Sequence, residues 1–594
     1  FSPFAQWYDK APGMVMLLSQ VNLPAHNKEA VYAHFAHDEN IVIFDRAYFT
    51  NRWVVTVNDD FNYILFVSSA LIFIALLISY GRIELTLISF LPMCISWIII
   101  VGIMGLLDIR FNIVNIILST FIFGIGDDFS IFIMDGLQNR YMRGNKLLNS
   151  HKTAIFFSAF TTVVGMGAMV FAQHPALQSL SLVSIIGMFA VVLVAYTIEP
   201  VIFNLFIGNP AAKHLPPYTL WSIIGTAFFF IEFFIGCLLL TLLLLIMLPL
   251  PIARRHKQYA LSWCAHKLCR GIVYSYAGKK IYEGIDEHTF DRPAVIIANH
   301  ASFIDILLMF ALTPRIVMVT NKWVYHSPVF GHIIRYLDFH YTGDGYDTGT
   351  SHLQQKIDQG FSIVVFPEGT RSLDGQIHRF HKGAFYLAEQ LHTDILPLLF
   401  YGPDKALPKR QSFHLHCTTL VMKALPRITP DNTSFGSDYR ERAKQIASYC
   451  REQYAELCNR YNTPDNPYFY NRLVRNFIYK GPVLEWYTRI KVKMEDNYRL
   501  FDQLIPRNAH VTDIGCGYGY LDYMLAMYAP DRKILGIDYD ADKIAVADNG
   551  FARPKSLQFV CADSLRYDIP YSDVFVLNDM LHYLARDEQR QLLL

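Results

Sequence analysis

The chain has almost no net charge and no paired cysteine motif, and both absences narrow its function class. It carries 52 lysines and arginines against 51 aspartates and glutamates over 594 residues, a formal net charge of +1. Such a balance gives no global attraction to nucleic acid, so no nucleic-acid partner is expected. The 9 cysteines are scattered without a CxxC pair. This pattern favours a reduced compartment over a disulfide framework.

The segment HLHC (414–417) is the one place where side chains suggest a metal site. Zinc sites need a second ligand pair at a fixed spacing, and the sequence offers none. Alternation of polar and apolar residues explains the segment better as a strand. No metal ligands are therefore predicted.

Apolar residues make up 53% of the chain, and their excess lies almost wholly before residue 253. Residues 1–57 are mixed, with alternating pieces such as IVIFD and RWVVTV, and are interpreted as the end of a soluble domain. The first residue is Phe1 and the last lies inside a helical pattern, so we expect a longer parent protein. Five later segments are each long enough to cross about 30 Å of hydrocarbon as a helix. They are 60–80, 84–107, 112–134, 153–172 and 178–207.

Basic residues fix the expected orientation of these segments. The loop 135–152 carries four of them, which places it in the cytoplasm under the positive-inside rule and residues 1–57 in the periplasm. A sixth apolar stretch, 219–252, is too long for one upright span and short for two. We expect it to be a membrane-embedded hairpin that returns the chain to the cytoplasm, with the basic run ARRHK at the lipid headgroups.

Two adjacent carboxylates interrupt the third apolar segment, in FIFGIGDDFSIFIM (121–134). A carboxylate in hydrocarbon is a functional candidate because nothing there solvates its charge. Two neighbouring carboxylates also disfavour joint ionisation, so one of Asp127 and Asp128 should hold a proton. On the next segment, Ser158 and Thr162 share one helix face and are predicted hydrogen-bond partners of Asp128.

The motif GIGDDFSIFIMDG resembles the G-x-G-x-D-[YF] signature of RND/MMPL-type exporters, and SAFTTVVGMG resembles the span that follows it. The resemblance covers about 1–207 and implies proton-driven export in which the carboxylate shuttles protons. Asp128 matches the family aspartate, whereas Asp127 replaces a usually apolar residue. The family also has a partner helix in a first half, so a missing N-terminal exporter half is expected.

A histidine and an aspartate follow a buried strand in VIIANHASFIDILLMF (295–310). At a strand-to-helix turn, Asp305 can reach one imidazole nitrogen of His300 and leave the other free as a base. About sixty residues later, IVVFPEGTRS (363–372) is another strand that opens into a turn. Its Arg371 presents a planar cation suited to phosphate, and backbone N–H groups near Gly369 can add to it.

Together these motifs resemble the glycerolipid acyltransferases that include 1-acylglycerol-3-phosphate acyltransferases, over about 259–425. The resemblance implies that His300, oriented by Asp305, deprotonates an acceptor hydroxyl that attacks a thioester of coenzyme A or of acyl-carrier protein. It also implies that an acceptor such as a lysophospholipid is held by four residues, Glu368, Gly369, Thr370 and Arg371. One departure concerns the second family motif, where an arginine is usual and this chain has Gly343 and Asp344.

A glycine-rich turn stands near the end of the chain in HVTDIGCGYGYLDYML (510–525). Alone, Gly515, Gly517 and Gly519 are compatible with a nicotinamide site, although that fold predicts a tighter G-x-G-x-x-G. The order of strands after the turn resembles class I S-adenosylmethionine-dependent methyltransferases. In that family Asp513 places the methionine part, Asp538 holds the ribose and the Asp563 region meets the adenine.

We predict a multidomain protein with an α-helical transmembrane bundle, an α/β acyltransferase domain and a partial Rossmann-like methyltransferase domain. It is expected in a bacterial inner membrane, in contact with its lipids, with both enzyme domains cytoplasmic. Two alternatives stay open: mainly a transporter whose soluble domains modify the cargo, or a degenerate exporter scaffold that anchors the enzymes. The expected boundaries are 1–57, 58–207, 208–258, 259–460 and 461–594.

Overall fold

The computed structural model describes residues 8–11, 14–24, 27–109, 113–145, 147–276, 278–344, 346–411, 413–495 and 497–593. An antiparallel ribbon, β1 (Tyr8–Ala11) with β2 (Met14–Leu17), and a short helix, α1 (Lys28–Phe35), come first. A long helix, α2 (Arg46–Tyr80), then runs unbroken into the first apolar segment. The segment RWVVTV, which alternates like a strand, is thus helical, and the boundary expected at residue 57 falls inside one helix. A helix satisfies its own backbone hydrogen bonds, so it can continue from water into hydrocarbon.

Four more helices form a bundle with α2, and α4 contacts all of them. Glycines permit this approach: a β-carbon on Gly187 would lie 2.6 Å from Ile122. The helices are α3 (Ile83–Leu106), α4 (Ile113–Arg143), α5 (Leu147–Gly167) and α6 (Pro175–Phe203). A π-helical turn, Asn204–Gly208, joins α6 to α7 (Asn209–Ala212). In the described part of the chain, five stretches are long and apolar enough to cross a membrane: Val55–Tyr80, Ile83–Leu106, Leu147–Phe171, Pro175–Ala212 and Leu220–Met247.

The expected hairpin at 219–252 is wrong, because α8 (Leu220–Met247) is one continuous helix. It begins at a capping box in which Thr219 and Ser222 satisfy each other's backbone N–H groups. Gly236, near its centre, does not break it. One glycine costs a helix only about 1 kcal/mol, and this one lets Leu268 of the next helix approach to within 2.5 Å of its β-carbon position.

A mixed seven-stranded sheet forms the middle unit, in the order β3-β9-β8-β4-β7-β5-β6. All its pairs are parallel except β8 with β9. The central strands are short apolar runs buried at every position, as a sheet covered on both faces requires. Its elements are α9 (Arg254–Ser275), β3 (Lys280–Glu283), β4 (Val295–Ala298), α10 (Ile304–Leu312), β5 (Ile316–Thr320), α11 (Lys322–Tyr325), α12 (Gly331–Tyr336), β6 (His340–Tyr341), α13 (Tyr346–Asp358), β7 (Ser362–Val365), α14 (Gly383–Gln390), β8 (Ile395–Tyr401), α15 (Pro403–Ala406), β9 (Leu420–Ala424) and α16 (Tyr439–Tyr461).

A parallel four-stranded sheet in the order β12-β11-β10-β13 forms the third unit. Phe469 and Leu473 of the first helix of this unit belong to its hydrophobic core. Its elements are α17 (Pro467–Asn476), α18 (Pro482–Met494), α19 (Tyr498–Leu504), β10 (His510–Ile514), α20 (Tyr520–Tyr528), β11 (Lys533–Asp538), α21 (Ala541–Asp548), β12 (Leu557–Cys561), β13 (Val574–Val576) and α22 (Arg586–Leu593).

Three ends of the bundle helices touch this third unit. Arg82, between α2 and α3, pairs with Glu485 on α18. Near the end of α4, Gln138 Nε2 donates to the Tyr479 carbonyl at 3.0 Å. Beyond α7, the His214 ring lies 3.2 Å from the Phe551 carbonyl oxygen. These three turns therefore lie at one end of the bundle, the end to which the third unit is docked.

Arg82→Met is expected to loosen this docking. Glu485 is 6% exposed, and loss of one cation from a largely buried pair costs on the order of 1–3 kcal/mol. Hydrogen–deuterium exchange should therefore rise in α18 and in the α2–α3 turn. Arg489→Met is the matched control, because Arg489 is a more exposed partner of the same carboxylate. Equal exchange in the two variants would contradict the role given to Arg82.

Candidate active sites

The half-buried His300 and the buried Asp305 form a pair at the carboxyl end of β4. His300 Nδ1 lies 2.9 Å from Asp305 Oδ2, and the same oxygen accepts the N–H groups of Ala301 at 2.7 Å and Ser302 at 2.8 Å. Asp305 stands in the first turn of α10, where the helix dipole favours a negative charge. The arrangement fixes the carboxylate and leaves Nε2 of His300 turned away from it.

Glu368 ties the turn after β7 to the turn after β4. Its Oε1 accepts the His300 N–H at 3.0 Å and its Oε2 accepts the His378 N–H at 3.1 Å. A second tie runs from the Ser372 N–H to the His300 carbonyl at 2.7 Å. Burial raises the pKa of Glu368, while the two N–H donors act in the opposite direction. Because both of its carboxylate oxygens already accept backbone N–H groups, Glu368 is placed to position His300.

The remaining residues of the EGTR turn face outward. Gly369 has φ +70° and is exposed, with the His381 ring 3.2 Å from its β-carbon position. Lys409 reaches the turn from a later segment and donates to Thr370 Oγ1 at 3.2 Å and to the Arg371 carbonyl at 2.8 Å. The Arg371 guanidinium donates to none of the residues that the structure describes. A half-buried cation of this kind is suited to an anionic group.

An apolar cavity of about 520 Å³ opens beside His300. Its wall comes from α8 and α9 on one side and from the strand ends and α10 on the other. Gly369 and His381 also line it, so it begins at the EGTR turn. Sequence reasoning missed His381, because the segment FHKGAF gives no sign that its histidine folds back over Gly369.

The glycine turn after β10 has the backbone that only glycine adopts readily. Gly515, Gly517 and Gly519 all have positive φ, at +81°, +57° and +72°. A β-carbon at Gly515 would meet Met580 at 2.6 Å and one at Gly519 would meet Phe559 at 2.4 Å, but one at Gly517 meets nothing within 4 Å. The open side of Gly517 faces a cavity of about 610 Å³.

Carboxylates surround this second cavity. Asp538, at the end of β11, accepts the Gly517 N–H at 2.8 Å and the Asp540 N–H at 2.9 Å. Asp513 lies at the end of β10, and Asp563 is exposed at the rim. The predicted residues Asp513, Gly515, Gly517, Asp538 and Asp563 all line the cavity, and Gly519 does not.

Asp522 is a further carboxylate that sequence reasoning missed. It is fully buried in the first turn of α20, and both its oxygens lack a hydrogen-bond donor among the described residues. Burial raises the pKa of both Asp522 and Asp513. The Asp513 carboxyl raises the pKa of Asp522 further, whereas the Asp522 side chain acts to lower the pKa of Asp513. The sequence signal was a lone acid inside an apolar helix start, YLDYML.

The carboxylates of the helical bundle are arranged differently from the expectation. Asp127 is 7% exposed, but its neighbour Asp128 is on the outer face. Ser158 is also exposed, and Thr162 Oγ1 donates to the Ser158 carbonyl at 2.9 Å. The predicted bonds from Ser158 and Thr162 to Asp128 are therefore wrong. A hydroxyl four residues along a helix can bond its own backbone, and sequence spacing alone does not exclude this.

The HLHC segment is a buried polar junction that precedes β9, so the expected strand at this segment is wrong. The rings of His414 and His416 stack at 4.2 Å, and Arg475 Nη1 of α17 contacts a nitrogen of each. Burial and the guanidinium lower the pKa of His414 to about 3 and that of His416 as well. Both rings therefore stay neutral and accept from Arg475. Among the described residues, no group of three potential ligands could hold a metal ion.

Three family profiles match separate parts of the chain. They describe the MMPL family over residues 48–228, an acyltransferase over 279–401 and a methyltransferase domain over 511–594. The expected three-part fusion is thus confirmed. So is the fold class: apolar helices, a mixed α/β sheet domain and a parallel sheet near the C-terminus.

Curated relatives match the middle unit. A 1-acyl-sn-glycerol-3-phosphate acyltransferase of Limnanthes douglasii is 31% identical over 198 residues, covering 32% of this chain and 68% of the plant protein. The human 1-acyl-sn-glycerol-3-phosphate acyltransferase alpha is 28% identical over 27% of this chain and 60% of its own length. The crystal structure of the 1-acyl-sn-glycerophosphate acyltransferase PlsC from Thermotoga maritima aligns at 19% identity and a TM-score of 0.35, over 40% of this chain and 97% of that one.

The histidine junction predicts a loss of stability in acid. With folded pKa values below the unfolded value of about 6.5, the unfolded chain binds more protons as the pH falls, so unfolding becomes easier below about pH 6.5. At about pH 5 this amounts to roughly 2 kcal/mol per histidine. His414→Gln keeps an acceptor for Arg475 and should reduce the acid sensitivity of the thermal midpoint. His256→Gln, at an exposed histidine, is the control, and equal acid sensitivity in both variants would refute the idea.

Proposed function

Because the chain belongs to the 1-acyl-sn-glycerol-3-phosphate acyltransferase family, we propose that it transfers an acyl chain from a thioester to the hydroxyl of a lysophospholipid-type acceptor. The observation that carries the proposal is the His300–Asp305 pair beside an apolar cavity. A histidine with a fixed carboxylate partner and one free nitrogen is the arrangement that general-base catalysis needs.

His300 acts as the base. Asp305 accepts the Nδ1–H, which leaves the Nε2 lone pair to take the proton of the acceptor hydroxyl. As that proton leaves, the hydroxyl oxygen attacks the thioester carbonyl and a new C–O bond forms. The C–S bond then breaks, and the imidazolium returns its proton to the departing thiolate. The buried Asp305 carboxylate stabilises the imidazolium between these two steps.

Arg371 is the proposed anchor for the phosphate of the acceptor. Its guanidinium is uncommitted within the described chain, and Thr370 and the exposed backbone at Gly369 stand beside it. Glu368 acts indirectly, since its oxygens hold the His300 and His378 N–H groups. Gly343 and Asp344 occupy the place where relatives usually carry a second arginine. Arg371 is therefore the main cation that we assign to the acceptor.

The apolar cavity is proposed to hold the acyl chain. Its lining includes Phe233 and Cys237 of α8, Leu268 of α9 and Phe310 of α10. Burial of methylene groups stabilises binding by about 0.8 kcal/mol each. Coenzyme A and acyl-carrier protein present the same thioester at the mouth, and either serves the chemistry above.

The helix α8 is proposed to hold the enzyme domain against the bilayer on the same side as the third unit. Both of its ends contact the α/β domain: Thr226 Oγ1 accepts the Leu415 N–H at 2.9 Å, and Thr241 Oγ1 lies 2.7 Å from His332 Nε2. Its other face exposes large apolar side chains, among them Trp221 and Leu238. A face of this kind is suited to contact the hydrocarbon of the bilayer. The third unit docks at the end of the bundle where α4 ends, within the basic stretch 135–152. We therefore propose that this end of the bundle lies at the cytoplasmic face of an inner membrane.

The third unit is proposed to bind S-adenosylmethionine, which supplies an electrophilic methyl group when bound. The residues fit it: open space at Gly517 admits a close ligand, and acidic side chains face a cofactor with two cationic centres. Asp513 would hold the ammonium group, Asp538 the ribose and the Asp563 segment the adenine. Asp538 also fixes the Gly517 N–H and thereby the shape of the turn.

For the helical bundle we propose proton-driven export of an acylated amphiphile. The observation that favours it over a passive scaffold is the burial of Asp127 among helices, with one oxygen lacking a partner within the described chain. A scaffold has no use for an ionisable group in hydrocarbon. The exposed Asp128 is proposed to belong to the same proton path at a surface that another helix covers.

His300→Ala tests the acyltransferase proposal. Loss of a general base lowers the rate by about 10²–10⁴-fold, so lipid mass spectrometry should show loss of one acylated species in cells that express the variant. His288→Ala is the matched control, because His288 forms a similar pair with Asp291 but is exposed. An unchanged lipid profile for His300→Ala would remove the acyltransferase claim.

Gly517→Ala tests the cofactor site. A methyl group at this position projects into the cavity, so calorimetry with the full chain should show S-adenosylhomocysteine binding weaker by roughly tenfold. Gly360→Ala is the control, because Gly360 also has a positive φ, +85°, and open space around it, yet lies in the other enzyme domain. Undiminished binding by Gly517→Ala would place the cofactor elsewhere.

A further inference from the structure

Glu199 is an ionisable group sealed inside the helical bundle. It lies on α6 and is 0% exposed. One of its oxygens, Oε1, has no partner among the described residues, and the described chain pairs it with no basic side chain. An ionised carboxylate left in this state would be strongly destabilising, because hydrocarbon and packed side chains offer it no solvation.

Ser130 reveals the protonation state of this carboxyl. Its hydroxyl oxygen lies 2.7 Å from the Ser89 carbonyl oxygen and 2.8 Å from Glu199 Oε2. A serine has one hydroxyl proton, and a backbone carbonyl can only accept. Both short contacts are satisfied together when Ser130 donates to Ser89 and Glu199 donates to Ser130. This arrangement requires a proton on Glu199.

Asp127 is the acidic neighbour that favours the protonated state of Glu199. It lies on α4, the helix that carries Ser130, and it interacts electrostatically with Glu199. Two carboxylates that share an apolar site disfavour joint ionisation, so the pair holds at least one proton. The other titratable groups near the site are Asp128 beside Asp127, Tyr80 of α2, which contacts Ser89, and Asp135 farther along α4. No lysine, arginine or histidine of the described chain faces it.

Hydroxyl groups connect this site to one end of the bundle. Ser130 Oγ lies 3.3 Å from Ser89 Oγ, which lies 3.5 Å from the hydroxyl of Tyr80. Tyr80 is the last residue of α2, two residues before Arg82, which contacts the third unit. These hydroxyl oxygens therefore form a row from the Glu199 carboxyl towards the end of the bundle at which the third unit is docked.

We propose that Glu199, with Asp127 and Ser130, is a proton-binding site that exchanges its proton through Ser89 and Tyr80. The role of this site in coupling proton movement to export rests on the proposed export function. The existence of the proton-binding site does not depend on that function. The path differs from the one predicted through Ser158 and Thr162, which face away from it. Release of the proton would place a charge between α4 and α6, and that charge gives the two helices a reason to move apart.

Carbodiimide labelling of the full chain in lipid nanodiscs tests the site directly. Dicyclohexylcarbodiimide reacts with protonated carboxylic acids in apolar surroundings, and mass spectrometry of the unmodified sequence locates the adduct without any variant. We expect label on Glu199 near neutral pH, declining as the pH is raised. Glu199→Gln should abolish it. The control, Glu232→Gln, removes a half-buried carboxylate that already accepts from Ser275 on another apolar helix, and it should leave the Glu199 label intact.

Absence of label on Glu199, with label on Asp127 or Glu232 instead, overturns the proposal. A dye assay of proton uptake into proteoliposomes separates the site from the export function. Labelled Glu199 without proton uptake supports the site and refutes proton-driven export. Uptake that survives Glu199→Gln but is lost in Asp128→Asn supports export and assigns coupling to the outer carboxylate, which overturns the role given to Glu199.

Discussion

One buried carboxylate, that of Glu368, holds the two turns of the acyltransferase site together. The turns follow β4 and β7, which pair in parallel, so their carboxyl ends meet at one edge of the sheet. Strand pairing alone leaves each turn free to shift. The bonds from the His300 and His378 N–H groups to Glu368 remove that freedom, and they place the imidazole between Asp305 and the cavity. The position of the His300 imidazole depends on these hydrogen bonds.

The three units of the chain contact one another and are not merely consecutive in the sequence. Arg475 of α17 bonds the imidazoles of the middle unit, and Lys480, just beyond α17, lies fully buried and donates to the carbonyls of Val546 and Asn549 at 3.0 and 3.1 Å. Burial lowers the pKa of Lys480 to about 7. The bonds of Arg475 persist only while the two units stay docked, whereas the partners of Lys480 lie in its own unit. The segment from α17 to α18 therefore links the methyltransferase unit to both the acyltransferase and the bundle.

The bundle differs from this segment, because no basic side chain of the described residues pairs with its buried acids Asp127 and Glu199. Ion pairing would fix a carboxylate permanently, but a hydroxyl such as Ser130 can bond either protonation state. The contact between α4 and α6, made close by Gly126 and Gly187, brings Asp127 and Glu199 into one apolar site. A buried acid whose partners are hydroxyl groups is able to change its charge, whereas a buried acid in an ion pair is not.

The sequence by itself determined the apolar helices and the order of the three units, and it identified His300, Asp305 and the glycine turn as candidate site residues. Each of these depends on local composition or on residues placed at turns by short-range geometry. Only the tertiary structure decided that α8 stays unbroken, that Glu368 binds backbone, and that Asp127 faces Glu199 while Asp128 faces outward. Adjacent residues on a helix point about 100° apart, so sequence proximity does not determine burial. Glu199, which interacts electrostatically with Asp127, lies on another helix seventy-two residues away, and only packing brings the two near each other.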